Sequence, residues 1–402
     1  MKLRYISAIG LAALTVFALA LSAQKPPAPK RLTLDARRTL GTPRVFRSLT
    51  LIPVYDAAAR PGDAYVTLDE GLKAKTVSVK EAQGGGQVNT LFLSNTGKKP
   101  LYVMGGEVVL GGQQDRMLSR DTIIPPGKTL IPITVFCVEH GRWTGQRQFD
   151  ASAMIVASAS IRADAQNGAF YEQRAALMGD AAEANAPAVA TPQINGPASR
   201  PAQRQARRGD RGRQQITRGA EAPVGGSVGE SQQKVWDKVA AKNGKFNAKP
   251  STGTYRGILN MTGGDAQKNV APYLKAFSGP LDSDLHLVGG IAAVNGKVVA
   301  SDIFSDPVLF RKLWPKLLRS YVADAAENAP VKGSKMPVVT AQTAKEFLVS
   351  ARDAKSKAIN KSDVSATERL ESPQATSYVF AAHTKASAAK PLPALHENVL
   401  RK

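Results

Sequence analysis

Between Leu32 and about Trp143 the chain is a succession of short runs in which apolar and β-branched residues alternate with polar ones. These include Leu49–Val54, Thr76–Val79, Asn89–Leu93, Pro100–Met104, Thr129–Ile133 and Thr134–Val138. A period of two sends successive side chains to opposite faces of an extended backbone, so this region is expected to be antiparallel β rather than helix. Ser94-Asn95-Thr96-Gly97 is expected to close a hairpin between two of these runs, and Pro125-Pro126-Gly127-Lys128 to make another turn.

The pattern changes twice further along. From Glu172 to Glu230 the chain is dominated by Ala, Pro, Gly, Gln and Arg, and isolated residues such as Ile194 and Ile216 cannot offset the entropy of ordering it. This span is read as a disordered basic insertion. Order resumes near Ser231 with an expected helix over Gln232–Ala241 and a hairpin whose two arms, Leu285–Val294 and Lys297–Ala300, meet at Asn295-Gly296. Asp306-Pro307 reads as an N-cap and first helical residue. The helix behind it runs to about Ala326 on a stripe of Leu309, Phe310, Leu313, Trp314, Leu317, Leu318 and Tyr321, with Pro315 expected to kink it or end its first part. A second helix is expected over Ala341–Ile359 and a final strand over Thr376–Ala382. The fold class is therefore α+β: an N-terminal antiparallel β-rich lobe (32–171) and a C-terminal lobe (231–385) of helices packed on a small sheet, completing the same domain, with a flexible tail over 386–402.

The first 23 residues have the layout of an export signal. Lys2 and Arg4 precede an uncharged run from Ile6 to Leu21, small residues at Ala18, Ala20 and Ser22 follow, and Gln24-Lys25-Pro26-Pro27 turns polar. An uncleaved anchor is the competing reading, against which the run is short for a bilayer. No cysteine follows it, which argues against a lipoprotein. The mature chain is thus expected to be soluble, periplasmic or secreted, with no integral membrane segment.

At 402 residues and 43% hydrophobic content the chain has enough apolar surface for a substantial core. Its single cysteine excludes an intramolecular disulfide, and the spacing of His140, His286, His383 and His396 encloses no zinc. Phosphate-loop, dinucleotide and serine-elbow motifs are absent, so no cofactor is expected. Of the formal charge of +22, half lies in Ser231–Lys402, with 25 basic against 14 acidic residues. Arg200–Arg218, with seven arginines and one aspartate, is offset by acids within its own segment. It reads as a solvated linker or as an electrostatic arm. An anionic ligand or envelope polyanion is the partner the charge favours. Low aromatic content (6%) disfavours nucleic acid. The oligomeric state is left open.

Two stretches hold polar residues that a structural strand does not need. In Gly105-Gly106-Glu107-Val108-Val109-Leu110-Gly111-Gly112-Gln113-Gln114-Asp115-Arg116, glycine pairs bracket a very short strand and place Glu107, Gln114, Asp115 and Arg116 at its ends. In Cys137-Val138-Glu139-His140-Gly141-Arg142-Trp143, at the end of the longest β run, alternation puts Cys137 and Glu139 on one face and Val138 and His140 on the other.

At these residues the chain resembles the ARG- and rhodanese-phosphatase-associated protein domain family. The resemblance lies in Gly106-Glu107, in Gly112-Gln113-Gln114-Asp115-Arg116 and in Cys137 through Trp143. It extends to Val235-Trp236 and to the hairpin and helix from Val288 to Ala326, so it covers most of the mature chain outside the 172–230 insertion. That insertion departs from the compact family pattern, and His140 occupies a position that the pattern leaves open. The family's biochemical role is uncharacterised, and its name implies an association with ADP-ribosylglycohydrolases rather than a mechanism.

Two sharp readings follow. In one, Cys137 is a nucleophile served by His140 or another histidine and oriented by Glu139, although strand alternation turns His140 away and burial makes a free cysteine a small hydrophobe. In the other, Glu107, Asp115 and Glu139 supply acid and base while Gln114, Arg116, Arg142 and Trp143 hold an anionic nucleotide- or sugar-phosphate-like substrate for hydrolysis. Against both stands a structural network that pins turns at the sheet edge. The leading expectation is an exported binding or structural protein, with the hydrolase as the alternative.

Overall fold

A computed structural model describes residues 34, 37–81, 89–142, 149–150, 155–184, 228–278, 285–329, 337–353, 356–362, 364–382 and 394–402. The expected signal segment, Arg200–Arg218, Trp143 and His383 lie outside the described residues.

The N-terminal part carries β1 (Arg38–Leu40), β2 (Arg44–Phe46), β3 (Leu49–Asp56), β4 (Val66–Thr67), α1 (Leu68–Lys73), β5 (Val77–Glu81), β6 (Thr90–Asn95) and β7 (Leu101–Val103). It continues through β8 (Val108–Gly111), β9 (Arg116–Leu118), β10 (Thr122–Ile124), β11 (Lys128–Cys137) and β12 (Phe149–Asp150). Four helices follow: α2 (Ala159–Ala184), α3 (Val228–Lys245), α4 (Arg256–Leu259) and α5 (Ala266–Phe277). The chain then forms β13 (Leu287–Val294), β14 (Lys297–Phe304), α6 (Pro307–Glu327), α7 (Ala341–Arg352), β15 (Ser356–Lys361), β16 (Ser365–Glu371), β17 (Ala375–Ala382) and β18 (Ala394–Arg401).

The strands form a nine-stranded sheet in the order β1-β3-β13-β14-β18-β17-β16-β15, with β2 also on β3, a six-stranded sheet β12-β8-β9-β11-β6-β5 and a three-stranded sheet β10-β7-β4. Among the described residues every strand pair is antiparallel except β4 with β7. The fold is α+β and mainly antiparallel, as the alternation requires.

The large sheet is buried on both faces, and its side-chain alternation sorts two cores. Ala292, Val294 and Phe304 face the core made by Leu313, Leu317 and Tyr321 of α6, together with residues of α2 and α3. Ile291, Ala293 and Ile303 face the core made by Phe347, Leu348 and Ala351 of α7. A third core, with Val79, Leu93, Val103 and Val135, fills the small sheets. Two-sided burial explains why β13 reads as an almost continuous apolar run.

The hairpin at Asn295-Gly296 forms as expected, with φ of 50° and 76° at its two central residues. So does the start of α6, where the Asp306 carboxylate accepts from Val308 N at 2.8 Å ahead of Pro307. The helix continues through Pro315 to Glu327 instead of ending there. Burial of Leu313, Trp314, Leu317 and Leu318 on both sides of the proline offsets the single backbone bond it removes.

Several expectations are corrected. Ser94–Gly97 does not close a hairpin: β6 pairs with β5 and β11, whereas β7 pairs with β4 and β10. The cause is Asn95, whose Nδ2 donates to Lys99 O (2.9 Å) and Ile124 O (3.0 Å) while its Oδ1 accepts from Gly97 N (3.0 Å), redirecting the chain into another sheet. The second helix stops at Arg352 and Ser356–Lys361 is a strand. Residues 172–184 continue α2, and α3 begins at Val228, so both ends of the span read as disordered are helical. Ala394–Arg401, within the span read as a flexible tail, is β18, hydrogen-bonded between β14 and β17. Its alternation is masked in sequence because both faces are buried, polar residues included. The boundary between the two expected lobes also runs through a sheet, since β3 pairs along its length with β13.

Candidate functional site

The two motif stretches converge. Strand β9 pairs with β8 on one side and with β11 on the other, placing Arg116 opposite Val109 and Cys137. The loop before β9 and the end of β11 therefore meet at one end of the sheet's central strands.

There the Arg142 guanidinium closes a clasp. Its Nε lies 3.0 Å from both Glu139 oxygens and its Nη2 is 2.7 Å from Oε2. The remaining N–H groups go to Gly112 O (2.7 Å), Gly111 O (3.2 Å) and Asp115 Oδ1 (3.3 Å). Gly111 and Gly112 sit at φ of 115° and 56°, the left-handed bend that turns their carbonyls to Arg142, and a Cβ at Gly112 would lie 2.4 Å from the Phe149 ring.

Both carboxylates are saturated. Asp115 also accepts from Arg256 (Nη2 2.7 Å, Nε 3.2 Å), the Thr254 hydroxyl (2.8 Å) and Gly111 N (2.9 Å). Glu139 also accepts from Asp115 N (3.0 Å) and the Thr252 hydroxyl (2.6 Å). Burial alone would raise the Glu139 carboxyl, but Arg142, Thr252 and the Asp115 N–H outweigh it and hold the carboxyl below its usual range. Arg142, bonded to Glu139, is held above its own ordinary value. The 252–256 segment is further strapped to the motif by Gly141 N to Thr252 O (2.8 Å) and Tyr255 N to Val138 O (2.9 Å).

Arg116 turns the other way. Its Nη1 meets Gln114 Oε1 at 2.5 Å and Cys137 Sγ at 2.7 Å. The Cys137 backbone is clamped by Gln232 of α3, which accepts from its N–H (2.8 Å) and donates to its carbonyl (2.9 Å). Burial pushes the Cys137 thiol up, against the pull of Arg116. The His140 ring packs against Trp236 in a T-shaped arrangement, with centroids 4.5 Å apart.

Glu107 belongs to a different cluster. Its Oε1 takes Lys316 of α6 at 2.5 Å, its Oε2 accepts from Met104 N at 2.7 Å, and Lys316 also holds Asp69. Burial raises the Glu107 carboxyl despite Lys316. The hydrogen bonds sort the candidate residues into three sets: Asp115, Glu139 and Arg142 share one network, Arg116, Gln114 and Cys137 a second, and Glu107 with Lys316 a third.

A fourth network, unsuspected from sequence, lies under Gly105-Gly106. The Arg162 guanidinium grips the Asp302 carboxylate with two bonds of 3.0 Å, and neither side chain is exposed. Tyr321 donates to the same carboxylate and Asn398 Nδ2 does so at 2.8 Å. His396, stacked on Phe304 at 4.1 Å, places Nε2 3.2 Å from Asp302 and Nδ1 2.5 Å from Asp121. Burial lowers the imidazole pKa, but the two carboxylates outweigh it and raise it to about 9. Asp302 is held far below the carboxylate range by Arg162 and His396 against its burial. Asp302, a charged residue within the otherwise largely apolar strand Lys297–Phe304, was the available signal.

A concavity of about 700 Å³ lies elsewhere, between α3, α6, the β13–β14 turn and β18. Its walls present Lys238, Lys242, Lys297, Arg401 and Lys402 against Asp324 and Glu327. Lys242 bonds both of those carboxylates, Lys238 pairs with Asp164 and Lys402 with Glu371. Lys297 stands exposed on the turn. Among the described residues no group of three or more His, Cys, Asp or Glu is arranged to hold a metal, and no helix is long and apolar enough to cross a membrane.

No curated protein and no solved structure matches the chain. The sequence profile of the ARG and Rhodanese-Phosphatase-superfamily-associated Protein domain (ARPP-1) matches residues 37–182 and 196–389. With most of its length matched, the chain belongs to the ARPP-1 domain family.

Proposed function

We propose that this is an exported binding protein, β-rich in its N-terminal lobe and completed by the helical C-terminal lobe, in which the family motif is a fold-locking clasp and an anionic ligand is received in the basic groove. The observation that carries the reading is saturation. The Asp115 and Glu139 oxygens are taken by Arg142, Arg256, Thr252, Thr254 and backbone N–H groups, which leaves neither as a free general base. Hydrolysis by these carboxylates, the alternative, needs one of them unpaired and facing substrate. The groove supports the ligand class through the exposed Lys297 and through Arg401 on its walls, and its volume is in the range of small-molecule sites.

The test is a thermal-shift screen of the mature protein against nucleotides, ADP-ribose and sugar phosphates, with product analysis in parallel. A ligand that favours the folded state raises the midpoint. The expected result is a salt-sensitive rise, lost in Lys297→Glu, with no product formed. Turnover abolished by Glu139→Gln at unchanged Tm would establish the hydrolase instead.

A further inference from the structure

The groove between α3, α6 and the β13–β14 turn has two ends of opposite character. Asn295 Nδ2 donates to Asn328 O at 3.0 Å and so ties the turn to the C-terminus of α6. Lys297 lies two residues beyond Asn295, at most about 7 Å along the chain, and Glu327 is the residue before Asn328. A cation and a carboxylate of the groove wall therefore flank one hydrogen bond, within reach of a single small molecule.

The cationic end consists of Lys297 and Arg401. Lys297 is exposed, and the Arg401 guanidinium lies 4.6 Å from the centre of the Phe347 ring while its Nε donates to Val298 O. Neither has a carboxylate partner among the described residues. Lys238 and Lys402, on the same walls, are engaged by Asp164 and Glu371.

The other end carries a surplus of negative charge. Lys242 donates to Asp324 Oδ1 (2.7 Å) and to Glu327 Oε2, one cation against two carboxylates. Asp324 is filled further by the Ser160 hydroxyl (3.1 Å) and Ala159 N (2.8 Å), whereas Glu327 Oε1 has no hydrogen-bond partner among the described residues. Helix α6 ends here without a basic residue in its last turn, so the partial negative charge of its C-terminus is added to that of Glu327. Asn328 Nδ2 is fixed on Asp324 O at 2.8 Å, which leaves its exposed Oδ1 as a second acceptor. Asn295 Oδ1 is unpartnered too, but neighbouring atoms cover it. A simple anion satisfies the first end alone and is repelled by the second.

We propose that the groove binds an amino-sugar phosphate, its ammonium on Glu327 Oε1, a ring hydroxyl on Asn328 Oδ1 and its phosphate between Lys297 and Arg401. The proposal rests on the reading of this groove as the anionic-ligand site and adds the cationic half of the ligand. At about 700 Å³ the groove has room for such a molecule.

The experiment titrates the purified chain calorimetrically with glucosamine 6-phosphate, glucose 6-phosphate, N-acetylglucosamine 6-phosphate and glucosamine, at a pH below the pKa of the amine. Glucosamine 6-phosphate is expected to bind at least tenfold more tightly than each of the others. Glu327→Gln, in which Asp324 still holds Lys242, should bring glucosamine 6-phosphate down to the level of glucose 6-phosphate without weakening the latter, and Lys297→Glu should weaken both. Equal affinity for these two phosphates in the unsubstituted chain would overturn the proposal and leave the anionic-ligand groove standing. Absence of binding by every phosphate would overturn both. A preference for the amine that survives in folded Glu327→Gln would also overturn the proposal, and the comparison in the unsubstituted chain decides it if that variant does not fold.

Discussion

Arg162 passes Gly106 at a separation that no other residue at position 106 tolerates: a Cβ there would lie 2.2 Å from Arg162 Cδ and 2.6 Å from its Cγ. Gly106 also sits at φ of 103°, outside the range of side-chain-bearing residues. The glycine in Gly106-Glu107 thereby admits the arginine that neutralises Asp302 in the core.

Gly106→Ala should destabilise the protein by about 2 kcal/mol or more, from the backbone conformation and the displaced arginine together. Urea unfolding monitored by circular dichroism measures it. A loss below about 0.5 kcal/mol would mean that the Arg162 contact is dispensable.

Arg142→Ala strips Glu139 and Asp115 of their shared partner and leaves the Gly111 and Gly112 carbonyls without a donor. Removing one member of a largely buried pair typically costs about 3 kcal/mol. Arg142 keeps 23% exposure, which places the expected cost at roughly 2 kcal/mol. Arg142→Lys should recover little, because a point charge does not reproduce the fork. Equal stability of the two variants and the parent would sink the clasp.

His396 carries a raised folded-state pKa of about 9 against 6.5 for an unperturbed imidazole. Its contribution, on the order of 3 kcal/mol, is fully present below pH 6.5 and is lost as pH rises through about 9. Chemical denaturation across that window should show falling stability, and His396→Gln should be less stable at pH 6 with a flatter slope. A parent whose stability rises between pH 6.5 and 9 contradicts the ion pairs with Asp121 and Asp302.

Cys137 is buried, and its thiol is pushed upward. Alkylation by iodoacetamide at pH 7.5 should run at least 100-fold slower in the folded protein than in urea, and Cys137→Ala should leave ligand binding intact. Rapid labelling of the native chain would reopen the nucleophile.

Much of the fold was legible because its signals are local. Two positive-φ residues make the Asn295-Gly296 hairpin, a carboxylate and a proline start α6, and period-two alternation marks the strands of the N-terminal half. The misreadings share a cause. Asn95, which read as a hairpin turn, obeys the carbonyl of Ile124 in a different sheet. Residues 394–401 read as a tail because Glu397, His396 and Asn398 look like surface residues. Their partners are Arg352, Asp121 and Asp302, all distant in sequence.

The candidate site divides in the same way. Sequence alone singled out Asp115, Arg116, Cys137, Glu139 and Arg142 as polar residues in two stretches beside short strands, and left open whether those stretches meet; the pairing of β9 with β11 is what brings them together. Sequence also determined the α+β class and the family. Only the tertiary structure decided which charges neutralise which. A carboxylate is a candidate base or a spent ion-pair partner according to what stands within 3 Å of it, and for Asp115, Glu107 and Asp302 the deciding groups, Arg256, Lys316 and Arg162, arrive from 140 or more residues away in the chain.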